Sequence, residues 1–430
     1  MNLQTTNILL DGYNLELPTG TGIKTYAIST IKALDMLDAN VSVLFSRPTS
    51  KNQVFNEVLF FDNHTKWKKL AIIKATIISL TKLFNLAQKV ELNGVVIQGK
   101  KDSWINLVKP FSLDSCYLAA LMLKKLLRFT TNIYIDEPID IWHATYPLPI
   151  NIISRGQLVK KITTIHDLIP LRLPYVVPGD KYSFYQNVQG ALEQSEVIIT
   201  DSEHSKQDII DIFHVNSDRI AVIYPPLSVD TTPVSEPEIA SFLKRYKLQP
   251  QKYILWVGTI EPRKNLSRLI QSYTALDSDL PLVLVGKKGW QWEGELGNLQ
   301  ALFGKNWERK IKILDYVPES ALKFLYSGAF CFVFPSLYEG FGLTVLEAMS
   351  YGCPVITSNV SSLPEVGGNA VLYVDPYNIE EMTSKIKTLL NDLALREKLV
   401  ILGQQQAKLF NLENYSQNLY QVYAQALGKK

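Results

Sequence analysis

PSLYEGFGLTVLEAMSYGCP, residues 335–354, is the stretch whose reading decides the fold. It places Glu339 and Glu347 on either side of the run Gly340-Phe341-Gly342. The preceding AFCFVF (329–334) is a short apolar run with aromatic and β-branched residues and predicts a buried strand. In the following LTVLEAM, Leu343, Leu346 and Met349 fall on one face of a predicted helix. A glycine turn therefore joins a strand end to a helix start, with a carboxylate on each side. Small residues let backbone N–H groups approach an anion, and the helix N-terminus favours negative charge. Glu347, about a turn into the helix, can accept hydrogen bonds from vicinal hydroxyls such as those of a ribose. An ordinary αβ loop with two solvated acids is the competing reading, and it leaves the spacing and the glycines without a cause.

Outward from this stretch, WVGTIEPRKNL (256–266) sets Arg263 and Lys264 just past a strand that ends at Gly258, with Asn265 placed to open a helix. Arg binds a diphosphate bidentately and Lys as a point charge, so adjacent cations at a strand's C-terminal end suit that ligand. YILWVG, PLVLVG, IKILDYV, AFCFVF and PVITS predict one series of strands from 253 to 358. NILLDGYN (7–14), VSVLFS (41–46), IDIWHAT (139–145), KKITTIHD (160–167) and EVIITDS (196–202) predict another. Between the two series, residues 219–238 hold Pro225, Pro226, Pro233 and Pro237 and predict a stiff connection without helix. Strands alternating with helical stretches make each half a doubly wound parallel sheet, whose ligands gather at the strands' C-terminal ends. His143, His166 and Ser202 fall there. Gly20 and Gly22 precede a helical pattern running to about Leu37, which fits either a substrate-facing loop or a structural turn. Residues 411–430 carry Tyr415, Leu419, Val422, Tyr423 and Leu427 at helical spacing.

At 430 residues, with 47% hydrophobic and 20% charged residues, the chain suits two globular domains. A net charge of +3 gives no argument for nucleic acid. Cys116, Cys331 and Cys353 are too scattered for a zinc site or a disulfide framework, which fits a reducing cytosol. The first thirty residues read as strand and loop, not as a signal peptide, and no run is long and apolar enough to span a bilayer. Residues 66–90 are of another kind: Leu70, Ile73, Ile77, Leu80 and Phe84 form a stripe, and the charges, all lysines, include Lys68, Lys69, Lys74, Lys82 and Lys89. With Trp67 this predicts either a helix lying on an anionic membrane surface or a core-facing helix with a solvated lysine face.

The Glu339–Glu347 stretch and the Arg263–Lys264 pair resemble the motifs of retaining family 4 glycosyltransferases, which are mannosyltransferase-like here in their EPRKN, HDL and GKKGW wording. The resemblance implies an α/β GT-B fold: two doubly wound Rossmann-like domains facing a central cleft. It implies an acceptor-side domain over 1–230, a nucleotide-sugar domain over 231–410, and a tail helix (411–430) returning to the first. Glu347 would bind the ribose and Glu339 the donor sugar, while Gly340, Phe341, Gly342 and Leu343 face the diphosphate. Arg263 and Lys264 would stabilise the leaving group, and His166 would hold the donor sugar. Weaker donor contacts are implied at Gly22, Ser202 and Ser205, with base contacts from the backbone of Tyr316 and Val317. Lys24 stands where the family's next N-terminal glycine is expected, and Asp315 where a glycine is frequent.

The implied chemistry is front-face retaining transfer of a hexose from a nucleotide sugar, GDP-mannose favoured over UDP-sugars, with no metal and no other cofactor. The implied acceptor is a lipid-linked saccharide or glycolipid in cell-surface polysaccharide synthesis, reached from the cytoplasm with peripheral docking on the inner leaflet. The alternatives are a UDP-sugar enzyme with a soluble acceptor, and a catalytically silent GT-B scaffold; patterns for an epimerase or a phosphorylase are not seen.

Overall fold

Strands form where short apolar runs can be buried on both faces, as in parallel sheets covered by helices. The computed structural model describes residues 3–17, 22–50, 52–62, 85–97, 100–276, 278–315 and 317–428. Among the described residues, eleven strands precede residue 223: β1 (Asn7–Asp11), β2 (Asn40–Phe45), β3 (Gln88–Lys89), β4 (Lys109–Ser112), β5 (Thr131–Ile135), β6 (Ile141–Ala144), β7 (Ile150–Ser154), β8 (Gln157–Leu158), β9 (Lys160–Thr164), β10 (Val197–Thr200) and β11 (Ile220–Val222). Eight of them make one sheet in the order β11-β10-β9-β6-β1-β2-β4-β3, parallel except for the β3–β4 pair at its edge. β5, β7 and β8 form a small separate sheet. Its Ile133, Ile135, Ile150 and Ile152 pack in one cluster with Leu9, Leu44 and Trp142 of the large sheet.

The second sheet is parallel throughout, in the order β14-β13-β12-β15-β16-β17: β12 (Ile254–Val257), β13 (Leu282–Val285), β14 (Ile311–Leu314), β15 (Cys331–Phe334), β16 (Val355–Ser358) and β17 (Leu372–Val374). The order reverses between β12 and β15, so their C-terminal ends flank a switch point where ligands of such sheets bind. The cluster around this sheet runs from Ile239 to Phe410. Helix Leu412–Leu427 instead buries Tyr415, Leu419, Val422 and Tyr423 in the core of the first sheet. Buried polar pairs fix it there: Tyr415 with Thr30 at 2.8 Å, and Tyr423 with His143 at 2.6 Å. All three cysteines are buried and free. Among the described residues, no helix is long and apolar enough to cross a membrane.

Two expectations are corrected, together with the end of a third. Residues 219–238 are not simply a linker, since β11 completes the first sheet and a helix (Glu236–Lys244) starts before the stretch ends. Pro237 sits in that helix's first turn, where the missing N–H has no helical partner to lose. Asn265 precedes helix Leu266–Thr274 but makes no side-chain cap; its amide bridges the carbonyls of Pro335 (2.9 Å) and Pro376 (2.7 Å). The helix expected over 66–90 lies outside the described residues as far as residue 84. Its end is strand β3, where Lys89 pairs with Glu137 at 3.3 Å.

Candidate active site

Two loops at the switch point build the charged centre. After β12 the chain makes a short 3-10 turn (Pro262–Lys264); after β15 it runs through residues 335–342 into helix Leu343–Ser350. They are tied together by Leu337 N–H, which donates to the Arg263 carbonyl at 2.8 Å. Arg263 and Lys264 are thereby aimed at one carboxylate. Lys264 Nζ is 2.7 Å from Glu339 Oε1, and Arg263 Nη1 is 2.8 Å from Oε2. Arg263 also reaches Glu261 at 2.8 Å, and the Ser336 hydroxyl donates to Glu339 Oε1 at 2.6 Å.

The side chains of Arg263, Lys264 and Glu339 are only 10–13% exposed, so weak solvent screening lets each feel the others strongly. Burial opposes ionisation of Glu339, but the charges of Arg263 and Lys264 and the hydrogen bonds outweigh it and pull its pKa down to about 2. Burial and the Arg263 charge together lower Lys264 below the usual amine range. Two cations and two carboxylates thus balance. An incoming diphosphate would have to draw Arg263 and Lys264 away from Glu339.

Gly342 adopts φ +116° at the head of helix Leu343–Ser350, a left-handed conformation that favours glycine. The first closing bonds of that helix run from Val345 and Leu346 to the Gly342 carbonyl. The amides of Leu343 and Thr344 therefore have no acceptor within the helix, which leaves them for an anion. One turn on, Glu347 receives the Tyr326 hydroxyl at 3.3 Å. Burial and the nearby Glu319 charge raise its pKa to about 7. Phe341 turns the other way, stacked on Tyr224 at 5.8 Å and edge-on to Phe410 at 5.5 Å, so only its backbone is left for a ligand. Val317 is buried just after β14, and Tyr316 lies outside the described residues.

The facing side is built from the ends of β1, β6, β9 and β10. His166 Nδ1 is 2.8 Å from Asp201 Oδ2, and Nε2 is 3.1 Å from the Thr145 carbonyl. A carboxylate and a carbonyl as partners suit a ring that donates from both nitrogens, the protonated imidazole. Burial opposes that charge, and Asp201 outweighs it, leaving the pKa raised. Asp167 lies against the glycine turn: a Cβ on Gly340 would come within 2.9 Å of its carboxylate, so only glycine fits this approach. A Cβ on Gly22 would sit 3.6 Å from Leu343, placing that residue beside the helix start.

The hydroxyls of Ser202 and Ser205 are buried and both reach the Gly340 carbonyl, at 2.8 and 3.4 Å. Ser202 also caps helix Glu203–Phe213. These serines hold the turn in position across the cleft. His143, at the end of β6, does not line the cleft. It is fully buried between Tyr423 and Thr164, and burial and the His166 charge lower its pKa to about 3.

Sequence reasoning missed several groups that complete the arrangement. Glu365 accepts the amides of Glu203 and His204, both at 2.8 Å, and the Tyr338 hydroxyl bonds Asp208; each contact joins the two halves. Ser361 and Ser362 fix the backbone of the glycine turn. Asp201 is the one with a visible signal, a carboxylate directly after the apolar run VIIT.

The family described as "Glycosyl transferases group 1" matches residues 241–406, and "Glycosyltransferase Family 4" matches residues 20–231. The O-antigen chain mannosyltransferase B of Escherichia coli is 37% identical over 272 residues, covering 62% of this chain and 71% of that protein. The serotype-specific mannosyltransferase WbdA of the same organism is 31% identical over 263 residues, or 59% of this chain, and the match spans about a third of its length (32%). A sucrose-phosphate synthase from Thermosynechococcus elongatus superposes with a TM-score of 0.67 over 99% of this chain and all of that one, at 17% identity. That likeness concerns the fold alone, GT-B. Two parallel sheets meeting at a charged glycine turn, with family matches on both halves, make this chain a member of the group 1/family 4 glycosyltransferases.

Proposed function

We propose that the chain is a retaining mannosyltransferase. It would take mannose from GDP-mannose and extend a lipid-linked saccharide or glycolipid of a cell-surface polysaccharide at the inner face of the membrane. The observation that carries this is the buried Arg263–Lys264–Glu339 cluster beside the head of helix Leu343–Ser350. The names of the mannosyltransferase relatives support the sugar and the pathway class.

In this mechanism the diphosphate lies against the amides of Leu343 and Thr344 and takes up Arg263 and Lys264, which stabilise charge as the sugar–oxygen bond breaks. Glu339, released from the cations, holds the donor sugar's hydroxyls. An attacking acceptor hydroxyl approaches from the diphosphate side and gives its proton to the departing phosphate oxygen, which keeps the anomeric configuration. Holding those hydroxyls occupies the Glu339 carboxylate, which disfavours it as a covalent nucleophile. No metal enters this scheme, since the two cations and the helix dipole supply the positive charge.

The test is transfer from GDP-mannose, UDP-glucose and UDP-galactose to octyl α-mannoside in the presence of EDTA. Transfer from GDP-mannose with an α-linked product by NMR is expected. A β-linked product, strict metal dependence or preference for a UDP-sugar would each overturn the corresponding part. No turnover with any nucleotide sugar would favour a silent scaffold.

Glu347 gives the proposed binding a pH signature. Its folded pKa of about 7 lies above the ordinary 4.5, so the folded state keeps a proton that the unfolded chain has lost. Its contribution to stability therefore declines as pH rises from 4.5 to about 7. Ribose hydroxyls donate to the carboxylate, so GDP affinity is expected to rise between about pH 6 and 8. Glu347→Gln is expected to weaken GDP binding and flatten that rise in a calorimetric titration. An unchanged slope would remove Glu347 from the ribose site.

A further inference from the structure

Tyr13 and Tyr146 stand on the loops after the neighbouring strands β1 and β6, with ring centroids 5.3 Å apart and planes inclined by 30°. Both side chains are half-buried. Among the described residues, neither phenol has a hydrogen-bond partner. The backbone beneath them is fixed with unusual care. The buried carboxylate of Asp11 accepts the amide of Tyr13 at 3.0 Å and, with its other oxygen, the amide of Thr145. His166 holds the Thr145 carbonyl from the opposite side, at 3.1 Å. Tyr13 is further braced edge-on, at 5.5 Å, by Tyr117, whose hydroxyl is anchored to the Gly12 amide and the Leu44 carbonyl.

The pair also belongs to the cleft. Thr145, which precedes Tyr146, takes His166 Nε2 on its carbonyl at 3.1 Å, and Asp167 follows His166 in the chain; burial, Tyr13 and the Asp167 charge together push the Tyr146 pKa up to about 12. The same Asp167 stands against Gly340 of the glycine turn, and its Oδ1 is occupied by the Ile169 amide while Oδ2 has no hydrogen-bond partner among the described residues. A rigid aromatic surface with unpartnered hydroxyls, next to a carboxylate oxygen without a hydrogen-bond partner, is the chemistry that binds a sugar ring: the sugar's C–H face stacks on the aromatic ring and its hydroxyls reach the polar rim.

We propose that the Tyr13–Tyr146 stack, with Asp167 at its inner edge, is the subsite that seats the terminal saccharide of the acceptor. This rests on the glycosyl-transfer reading above and adds where the acceptor lies. Asp11 and His166 act on it as positioning residues through the Thr145 peptide.

Steady-state kinetics with octyl α-mannoside as acceptor test it, using whichever nucleotide sugar the wild type accepts. Tyr13→Ala and Tyr146→Ala are each expected to raise the acceptor KM about three- to tenfold, the range for losing one ring contact. The donor KM and the thermal shift given by the nucleotide should stay at wild-type values. Tyr146→Leu, which keeps bulk without a ring, guards against a folding defect and is expected to show the same acceptor loss, whereas Tyr146→Phe should retain stacking. An unmoved acceptor KM in the Ala and Leu variants, or equal changes in donor and acceptor KM, would overturn the subsite. Donor hydrolysis by a wild type that uses no mannoside would overturn it as well. A wild type that turns over no nucleotide sugar would instead overturn the transferase reading itself.

Discussion

Lys264→Ala is expected to lower turnover by about 10²-fold or more, the cost typical of removing one donor that stabilises a developing anion. The loss should lie in kcat, because the diphosphate acquires its extra negative charge only as the glycosidic bond breaks. Lys264 is well suited to that role, since it sits over the Phe334 ring at 4.7 Å and is held 2.7 Å from Glu339 before any donor arrives. Lys264→Arg is not an equivalent replacement in so narrow a space and is expected to recover only part of the rate. Single-turnover kinetics separate the chemical step from product release, and a wild-type rate for Lys264→Ala would remove the residue from the mechanism.

Glu339→Gln is expected to be the most destabilising single change in the site. It leaves Arg263 and Lys264 side by side without their shared counter-charge. Breaking a buried pair costs about 3–5 kcal/mol, and the lower end applies because Arg263 keeps Glu261. The pH dependence has a definite sign. The folded pKa of about 2 lies below the ordinary 4.5, so the wild type holds this stability above 4.5 and loses it as pH falls towards 2. The variant should lack that part of the acid sensitivity. Freed from Glu339, its two cations should also bind GDP more tightly than the wild type does, while transfer is lost with the sugar contact. Denaturant titrations at pH 7 and pH 3, with and without GDP, check all three. A Gln variant as stable as wild type at pH 7 would mean that the cluster is solvated.

The strands beside the charged centre were legible because VIIT, ILWV, LVLV and CFVF are apolar enough to be buried on both faces. The charged centre was legible for a related reason: Arg263, Lys264, Glu339 and Glu347 lie within a few residues of strand ends or helix starts, so local pattern places them. β11 was hidden by its shortness and by Pro225 and Pro226 a few residues after it, which made the segment read as linker. The sheet of β5, β7 and β8 was hidden because TNIYI alternates exposed and buried residues and lacks a continuous apolar run. Asp11 ends the apolar run ILL as Asp201 ends VIIT, but what Asp11 and Glu365 hold was not legible: the Thr145 amide lies 134 residues from Asp11, the Glu203 and His204 amides lie 161–162 residues from Glu365, and only the folded topology brings them together. The same holds for Ser202 and Ser205, which the resemblance marked as weaker donor contacts and which secure Gly340 from the other half.

The claim on which the rest depends is that a nucleoside diphosphate exchanges with Glu339 for Arg263 and Lys264 at the head of helix Leu343–Ser350. A crystal structure with bound GDP tests it most directly. The expected result is a diphosphate within hydrogen-bond distance of Lys264 Nζ, the Arg263 guanidinium and the amides of Leu343 and Thr344, with the ribose hydroxyls on Glu347. GDP bound elsewhere, or bound here with both Glu339 ion pairs intact, would contradict it.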